Sequence, residues 1–195
     1  GVGALREQLA ARGWLEAITF AFVARAQLET WGMADAAVAL ANPLSAELSV
    51  MRTSLLPGLA AAVVANRSRQ QTRVRLFETG RVYFEDREVD RIAGVACGRA
   101  VAEQWGEPAR TLDFFDVKGD VESLFALADA GAEFSFAPAS LPWLHPGQSA
   151  EVRRGGRVVG HVGALHPVLA RRLDFDEDVF VFELDRDALV ERRVP

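Results

Sequence analysis

The stretch Arg75-Leu-Phe-Glu-Thr-Gly-Arg-Val-Tyr-Phe-Glu-Asp86, RLFETGRVYFED, has apolar positions in its middle, a central glycine and charges at its rim. That is the pattern of a β-strand. Val74 to Thr79 and Arg81 to Phe84 read as strand, with Gly80 marking a bend or a close backbone approach. The next apolar run, RIAGVACG (91–98), is nearly continuous, so it is expected as a strand buried on both faces. Upstream, LLPGLAAAVVANRSRQ is expected as a helix running to about Arg69, with Pro57 in its first turn, where a missing N–H costs little. The question raised by the quoted stretch is whether this strand holds a substrate or holds the protein together.

Working outward, Leu5 to Arg12 reads as a helix ended by Gly13, and Ile18, Phe20 and Phe22 alternate with Ala17, Thr19 and Ala21 as a strand would. One face of that strand is expected in the core. Ala24 to Trp31 is a short helix stopped at Gly32; AVALAN (37–42) is a short strand candidate, and SVMRTS (49–54) is extended. A helix from about Val117 to Ala130 follows a polar connection, with Asp116 as its N-cap. AEFSFAPA is a strand, QSAEVRRGGRVVGHVGAL a hairpin turning at Arg154 to Gly156, and HPVLARRLDF a short helix. VFVFELD is a last strand, and RDALVERRVP starts a helix that is unfinished at Arg192. Strands outnumber crossover helices and several are hairpin-linked. The expected class is therefore α+β, a largely antiparallel sheet flanked by helices, in one domain whose best internal seam lies near 101–111.

Composition narrows the function classes. Half of the 195 residues are apolar and a quarter charged, ordinary for a globular domain, and no uncharged apolar run reaches eighteen residues. A formal net charge of −5 opposes indiscriminate binding to nucleic acid, though it leaves room for a local basic patch. The single cysteine, Cys97, cannot form an internal disulfide, which points to a reducing compartment.

Few residues offer chemistry. His145 and His166 each precede a proline, and no Cys/His/carboxylate cluster surrounds them or His161, so helix-start and turn roles are expected rather than metal ligation. There is no G-x-S-x-G elbow, and the glycines of GGRVVGHVG do not form a phosphate loop. Asp174, Asp176, Glu177 and Asp178 read as a solvated turn. Arg67, Arg69, Arg73 and Arg75 fall within nine residues. They either complement the negative end of a helix and stay solvated, or form a patch for phosphate or a partner, with Arg67 and Arg69 the candidate contacts to tRNA or another chain.

Five segments in this order, LREQLAARGWLEAITFAFV, NPLSAELSVMRTSLLPGLAAAVVANRSRQ, RVRLFETGRVYF, DFFDVKGDVESLF and LHPGQSAEVRRGGRVVGHVGALHP, resemble the core domain of the β chain of bacterial phenylalanine–tRNA ligase. The resemblance covers nearly the whole chain. It implies a class II aminoacyl-tRNA synthetase-like fold and a fragment of a longer chain. In that fold a first motif, which ARGWLEAITFAF matches, builds a subunit interface. Leu5, Leu9, Arg12 and Trp14 are the expected contacts, on the exposed remainder of the first helix. A second motif ends in an arginine that grips the α-phosphate of ATP, because a planar guanidinium donates two hydrogen bonds to an oxyanion. In the catalytic partner chain the segment reads glycine-arginine-valine-tyrosine-arginine; here it reads Gly80-Arg81-Val82-Tyr83-Phe84. A phenyl ring has neither donor nor charge. The third motif, a glycine-rich segment ending in arginine, finds no match in VFVFELDRDAL, where Arg186 follows an acidic residue.

The expectation is therefore a catalytically silent module with no catalytic, cofactor or metal residue of its own, Phe84 standing at the lost arginine position. The resemblance implies a cytoplasmic assembly of two α and two β chains that attaches phenylalanine to tRNA with ATP and magnesium. This domain would scaffold the catalytic α subunit, presenting the Leu5–Arg12 helix and the Ile18–Phe22 strand to it. The alternative is a tRNA-binding module acting through the Arg67–Arg75 cluster.

Overall fold

A computed structural model describes residues 1–67, 72–101, 105–106, 108–129 and 131–191. Its centre is the pair of long strands anticipated around RLFETGRVYFED: β4 (Arg73–Tyr83) and β5 (Glu88–Gly98), antiparallel and in register from Arg73 opposite Gly98 to Tyr83 opposite Glu88. β5 pairs with β9 (Val179–Asp185), β9 with β8 (Arg157–Leu165), β8 with β7 (Leu144–Arg154), and β7 with β6 (Phe134–Pro138), all antiparallel. At the opposite edge, β1 (Leu15–Glu16) runs parallel to β4. The described strands thus form a seven-stranded sheet in the order β1-β4-β5-β9-β8-β7-β6, with β2 (Phe22–Val23) and β3 (Val50–Met51) as a separate small ladder.

Both faces of the sheet are covered, which explains why β4 and β5 lack clean polar alternation. On one face α1 (Val2–Ala11) and α4 (Phe114–Phe125) cover a core of Leu5, Leu9, Trp14, Phe77, Ile92, Val121 and Phe182. Trp14 meets Phe182 edge-on, centroids 5.3 Å apart. On the other face α3 (Leu56–Arg67) and α5 (Pro167–Arg172) cover Val74, Leu76, Val82, Val95 and Val181. Two short helices, α2 (Arg25–Thr30) and α6 (Asp187–Val190), complete the described chain.

The expected α+β class holds, and most elements lie where the sequence places them. α1 ends before Gly13, whose φ of +90° a residue with a side chain would resist. Two details differ. Asp113 rather than Asp116 caps α4: Asp113 accepts from the Asp116 N–H at 2.9 Å, while Asp116 accepts from the Asp113 N–H at 2.9 Å. Two acids three residues apart form a reciprocal capping box, and the first of them is the cap. AVALAN makes only an isolated bridge, Ala39 to Val50, since its small side chains bury little and Pro43 stops it. Across the expected seam, Arg99 bridges Thr111 and the Leu112 N–H donates to Gly98 O at 2.9 Å, while strands from before and after it share one sheet. Arg69 and Arg192 lie outside the described residues.

Candidate docking surface and the closed cleft

The largest departure from expectation is Ile18, Phe20 and Phe22. The side carrying Ile18, Phe20 and Phe22 stays out of the core: Ile18 is 92% exposed, Phe20 80% and Leu15, just before them, 69%; Phe22 is also exposed, whereas Ala17 and Thr19 on the alternate side are half-buried and Ala17 packs against the α3-side core. Between β1 and β2 the chain runs along the sheet edge, fixed by the Ala17 N–H donating to Phe77 O at 2.8 Å and the Arg52 N–H donating to Ala21 O at 2.8 Å. Four large apolar side chains along one edge form a patch of the kind that marks a contact with another protein.

The residues expected at the interface are placed otherwise. Leu5, Leu9 and Trp14 are fully buried in this chain's own core, so their side chains face α4 and the sheet. Arg12 reaches back to Asp120, its Nε donating at 2.6 Å. Asp120, almost fully buried, also accepts from Trp14 Nε1 at 2.9 Å and Arg75 at 3.4 Å. Arg75, whose pKa is lowered chiefly by burial, donates further to Ala100 O.

That geometry divides the arginine cluster: Arg73 stays close enough to Arg75 for its charge to lower the Arg75 pKa, and Arg67 lies apart. Val74 packs with α3, while its neighbour Arg75 points through the opposite face to Asp120 on α4. Arg67, at the end of α3, pairs with Glu177, which takes that carboxylate out of the expected solvated turn. Alternate residues of a strand face opposite ways, so closeness in sequence does not assemble Arg67 and Arg75 into one basic surface. His145 and His166 take the expected turn and helix-start roles, accepting from the N–H groups of Gly147 at 2.9 Å and Val168 at 3.1 Å.

Phe84 lines a cleft of about 440 Å³ on the α3 side of the sheet, together with Ser54, Arg91, Trp143, His161 and Glu183. Its ring is a platform for two cations: the Arg87 guanidinium carbon lies 4.6 Å from the ring centroid and that of Arg91 5.5 Å. Both are already paired, Arg87 with Asp86 at 3.1 Å, Arg91 with Glu183 at 3.0 Å and Asp185 at 3.3 Å. Glu183 in turn accepts from Ser54 Oγ at 2.9 Å and from the Leu55 N–H at 2.7 Å, which tethers the start of α3. Burial pushes the His161 pKa down, favouring a neutral imidazole. The carboxylates of Asp35, Glu183 and Asp185 therefore outnumber the guanidiniums of Arg87 and Arg91 in the cleft lining. Arg186, the arginine of the last segment, pairs with Asp90 at 3.0 Å and ties β9 to β5. Among the described residues no group of three or more His, Cys, Asp or Glu is arranged to hold a metal, and no helix is long and apolar enough to cross a membrane.

Sequence reasoning passed over Glu78, Arg52, Asp120 and Glu183. The available signal was a lone acid inside an apolar run, as in LFETG and FVFELD, since a buried carboxylate requires a partner.

Residues 2–186 match the family described as the Phenylalanyl tRNA synthetase beta chain CLM domain. The chain belongs to this family. It is 48% identical over 198 residues to the phenylalanine–tRNA ligase beta subunit of Xanthomonas euvesicatoria pv. vesicatoria, an alignment covering 98% of this chain and 25% of that protein. With the protein of the same name from Pseudomonas fluorescens (strain Pf0-1), identity is 47% over 184 residues, 92% of this chain and 23% of that protein. The chain thus spans about a quarter of the length of these relatives. Among solved structures, a pyrrolysyl tRNA synthetase, PylSc of Desulfitobacterium hafniense, superposes with a TM-score of 0.70 at 14% identity, covering 97% of this chain and 65% of that one. That likeness concerns the fold, a synthetase-like sheet flanked by helices.

Proposed function

We propose that this domain is a non-catalytic scaffold of a phenylalanine–tRNA ligase β subunit, docking the catalytic α subunit through the Leu15–Phe22 edge. The exposed row of Leu15, Ile18, Phe20 and Phe22 carries the reading. The cleft supports its silent half. Phe84 offers no donor where ATP chemistry calls for a guanidinium, and the arginines beside it are committed to Asp86, Glu183 and Asp185. A triphosphate entering there would meet more negative than positive charge. Catalysis of acyl activation rests on positively charged groups preorganised around the phosphate, and this cleft offers the reverse.

On this reading the assembly holds two α and two β chains in the cytoplasm, joins phenylalanine to tRNA with ATP and magnesium, and binds neither cofactor in this domain. The test is the double substitution Ile18→Asp with Phe20→Asp in the intact β subunit, co-expressed with the α subunit. It should abolish co-purification of the two chains and aminoacylation by the mixture, while the wild-type β subunit alone shows no phenylalanine-dependent ATP–pyrophosphate exchange. Undiminished association of the double variant, or exchange by the β subunit alone, would refute the proposal.

A further inference from the structure

Between the exposed side chains of Ile18 and Phe20, Thr19 turns inward, and what it meets is unusual for a sheet edge. Glu78, at the centre of the quoted stretch, is 2% exposed. Both its oxygens are directed at Thr19: Oε1 accepts from the Thr19 N–H at 2.9 Å and Oε2 from Thr19 Oγ1 at 2.7 Å. Arg52, also buried, closes the cluster. It donates to Glu78 Oε1 at 3.2 Å, to Thr19 O and Oγ1 at 3.3 Å each, and to Arg81 O at 2.9 Å. Thr19 is thereby held through its N–H, its carbonyl and its hydroxyl.

Two glycines leave the space this arrangement needs. A Cβ at Gly80 would stand 2.5 Å from an Arg52 nitrogen and 3.2 Å from Leu55, and a Cβ at Gly58 in α3 would stand 2.9 Å from Thr19 Oγ1. The bend or close backbone approach expected at Gly80 is not what the strand shows: β4 keeps its register there, and what comes close is the Arg52 side chain.

We propose that Thr19, Glu78 and Arg52 form a latch whose role is to hold residues 17–21 extended, so that Ile18 and Phe20 are displayed to the α subunit before it arrives. This inference rests on the docking reading given above and assigns to two buried residues and the half-buried Thr19 a positioning role that no contact with the partner would reveal. A strip held in one conformation binds with its full intrinsic affinity; a strip that is competent only part of the time binds weaker by that fraction. Glu78 suits the task because a carboxylate receives two donors from one residue and a charge-assisted third from the guanidinium.

The experiment uses the intact β subunit and the purified α subunit, with association followed by sedimentation and backbone opening by amide hydrogen exchange. Glu78→Gln and Thr19→Val should each weaken association about tenfold, as expected when the competent fraction falls to about a tenth. Exchange should accelerate at residues 17–21 but not in β4, β5 or α3. A merely structural role would instead raise exchange throughout the sheet. Thr19→Ser, which keeps the hydroxyl, should restore wild-type association. Should Glu78→Gln not fold, Thr19→Val and Thr19→Ser carry the same test, as they leave the buried ion pair in place. Wild-type affinity in Thr19→Val would overturn the latch. The Ile18→Asp, Phe20→Asp pair separates the two readings: if it abolishes association while Thr19→Val leaves it unchanged, docking stands and the latch falls; if it too has no effect, the docking reading itself is lost.

Discussion

Replacing Asp120 by Ala should be among the most damaging single changes in this domain. Asp120 is the common acceptor of Arg12, Trp14 and Arg75, at 2.6, 2.9 and 3.4 Å. Arg12 is about two-fifths exposed and can turn to water, so its loss weighs little. Arg75 cannot, because its side chain is 6% exposed and its other acceptor is Ala100 O. Breaking a buried ion pair by removing one partner costs about 3–5 kcal/mol, much of it the uncompensated charge left behind. The indole N–H of Trp14 would also lose its acceptor, a loss already partly contained in that range. Against a domain stability of about 5–15 kcal/mol this is a large fraction, and at roughly 2–4 °C per kcal/mol Tm should fall by about 6–20 °C. Asp120→Asn retains an acceptor for the indole and should cost less. Replacing the pair together, Arg75→Met with Asp120→Leu, should recover most of the loss, since an apolar pair of similar volume incurs no desolvation of charge. Urea unfolding followed by tryptophan fluorescence measures all four proteins. A cost below about 1 kcal/mol for Asp120→Ala, or a double variant no better than the single one, would refute the account.

Two further outcomes follow from the core. Gly94→Ala would drive a methyl group into the Phe182 ring and to 2.6 Å from the edge of Trp14, so overpacking should lower stability by about 1–3 kcal/mol; an unchanged urea midpoint would show that the two rings move aside freely. The Cys97 thiol is pushed up to about 12, first by burial and then by the negative charge of Glu177, so at pH 8 thiolate is nearly absent and iodoacetamide should label it only through unfolding; rapid labelling of the native protein would contradict its burial.

How far the fold was legible depended on what decided each element. β4, β5 and α3 were readable because their signals are local: apolar runs of strand length, and Pro57 ahead of alanines. The edge segment was misjudged for an equally physical reason. Period-two alternation of Ile18, Phe20 and Phe22 announces extended chain, but it does not say whether the apolar side faces this chain's core or another protein, because the same side chains serve both. Leu5, Leu9 and Trp14 were misassigned in the opposite sense, their partners on α4 being more than a hundred residues away in sequence. Arg75 failed alone because its partner, Asp120, lies 45 positions on, whereas the four neighbouring arginines suggested each other. That the Phe84 side chain carries no hydrogen-bond donor is plain from its identity alone. Its positive role, a ring beneath Arg87 and Arg91, needed the geometry of the turn after β4.

Three carboxylates, Glu78 and Asp120 buried and Glu183 half-buried, share a placement that bears on why they are kept. Glu78 joins the sheet to the edge strip, Asp120, on α4, joins that helix to the end of α1 and to the sheet, and Glu183 joins the sheet to the start of α3. Each meets an arginine and at least one N–H or hydroxyl donor. Buried ion pairs add little net stability compared with apolar residues of equal volume, yet they tolerate few alternative geometries. On the proposed scaffold reading catalysis gives no reason for them, whereas display of a fixed edge does, because an apolar repacking that keeps the core folded leaves the angle of α1 and the path of residues 17–21 less determined. If that proposal holds, stability and docking should separate: Arg75→Met with Asp120→Leu is expected to keep most of the first by replacing ions with packing, and Thr19→Val to impair the second while leaving the core ion pairs untouched.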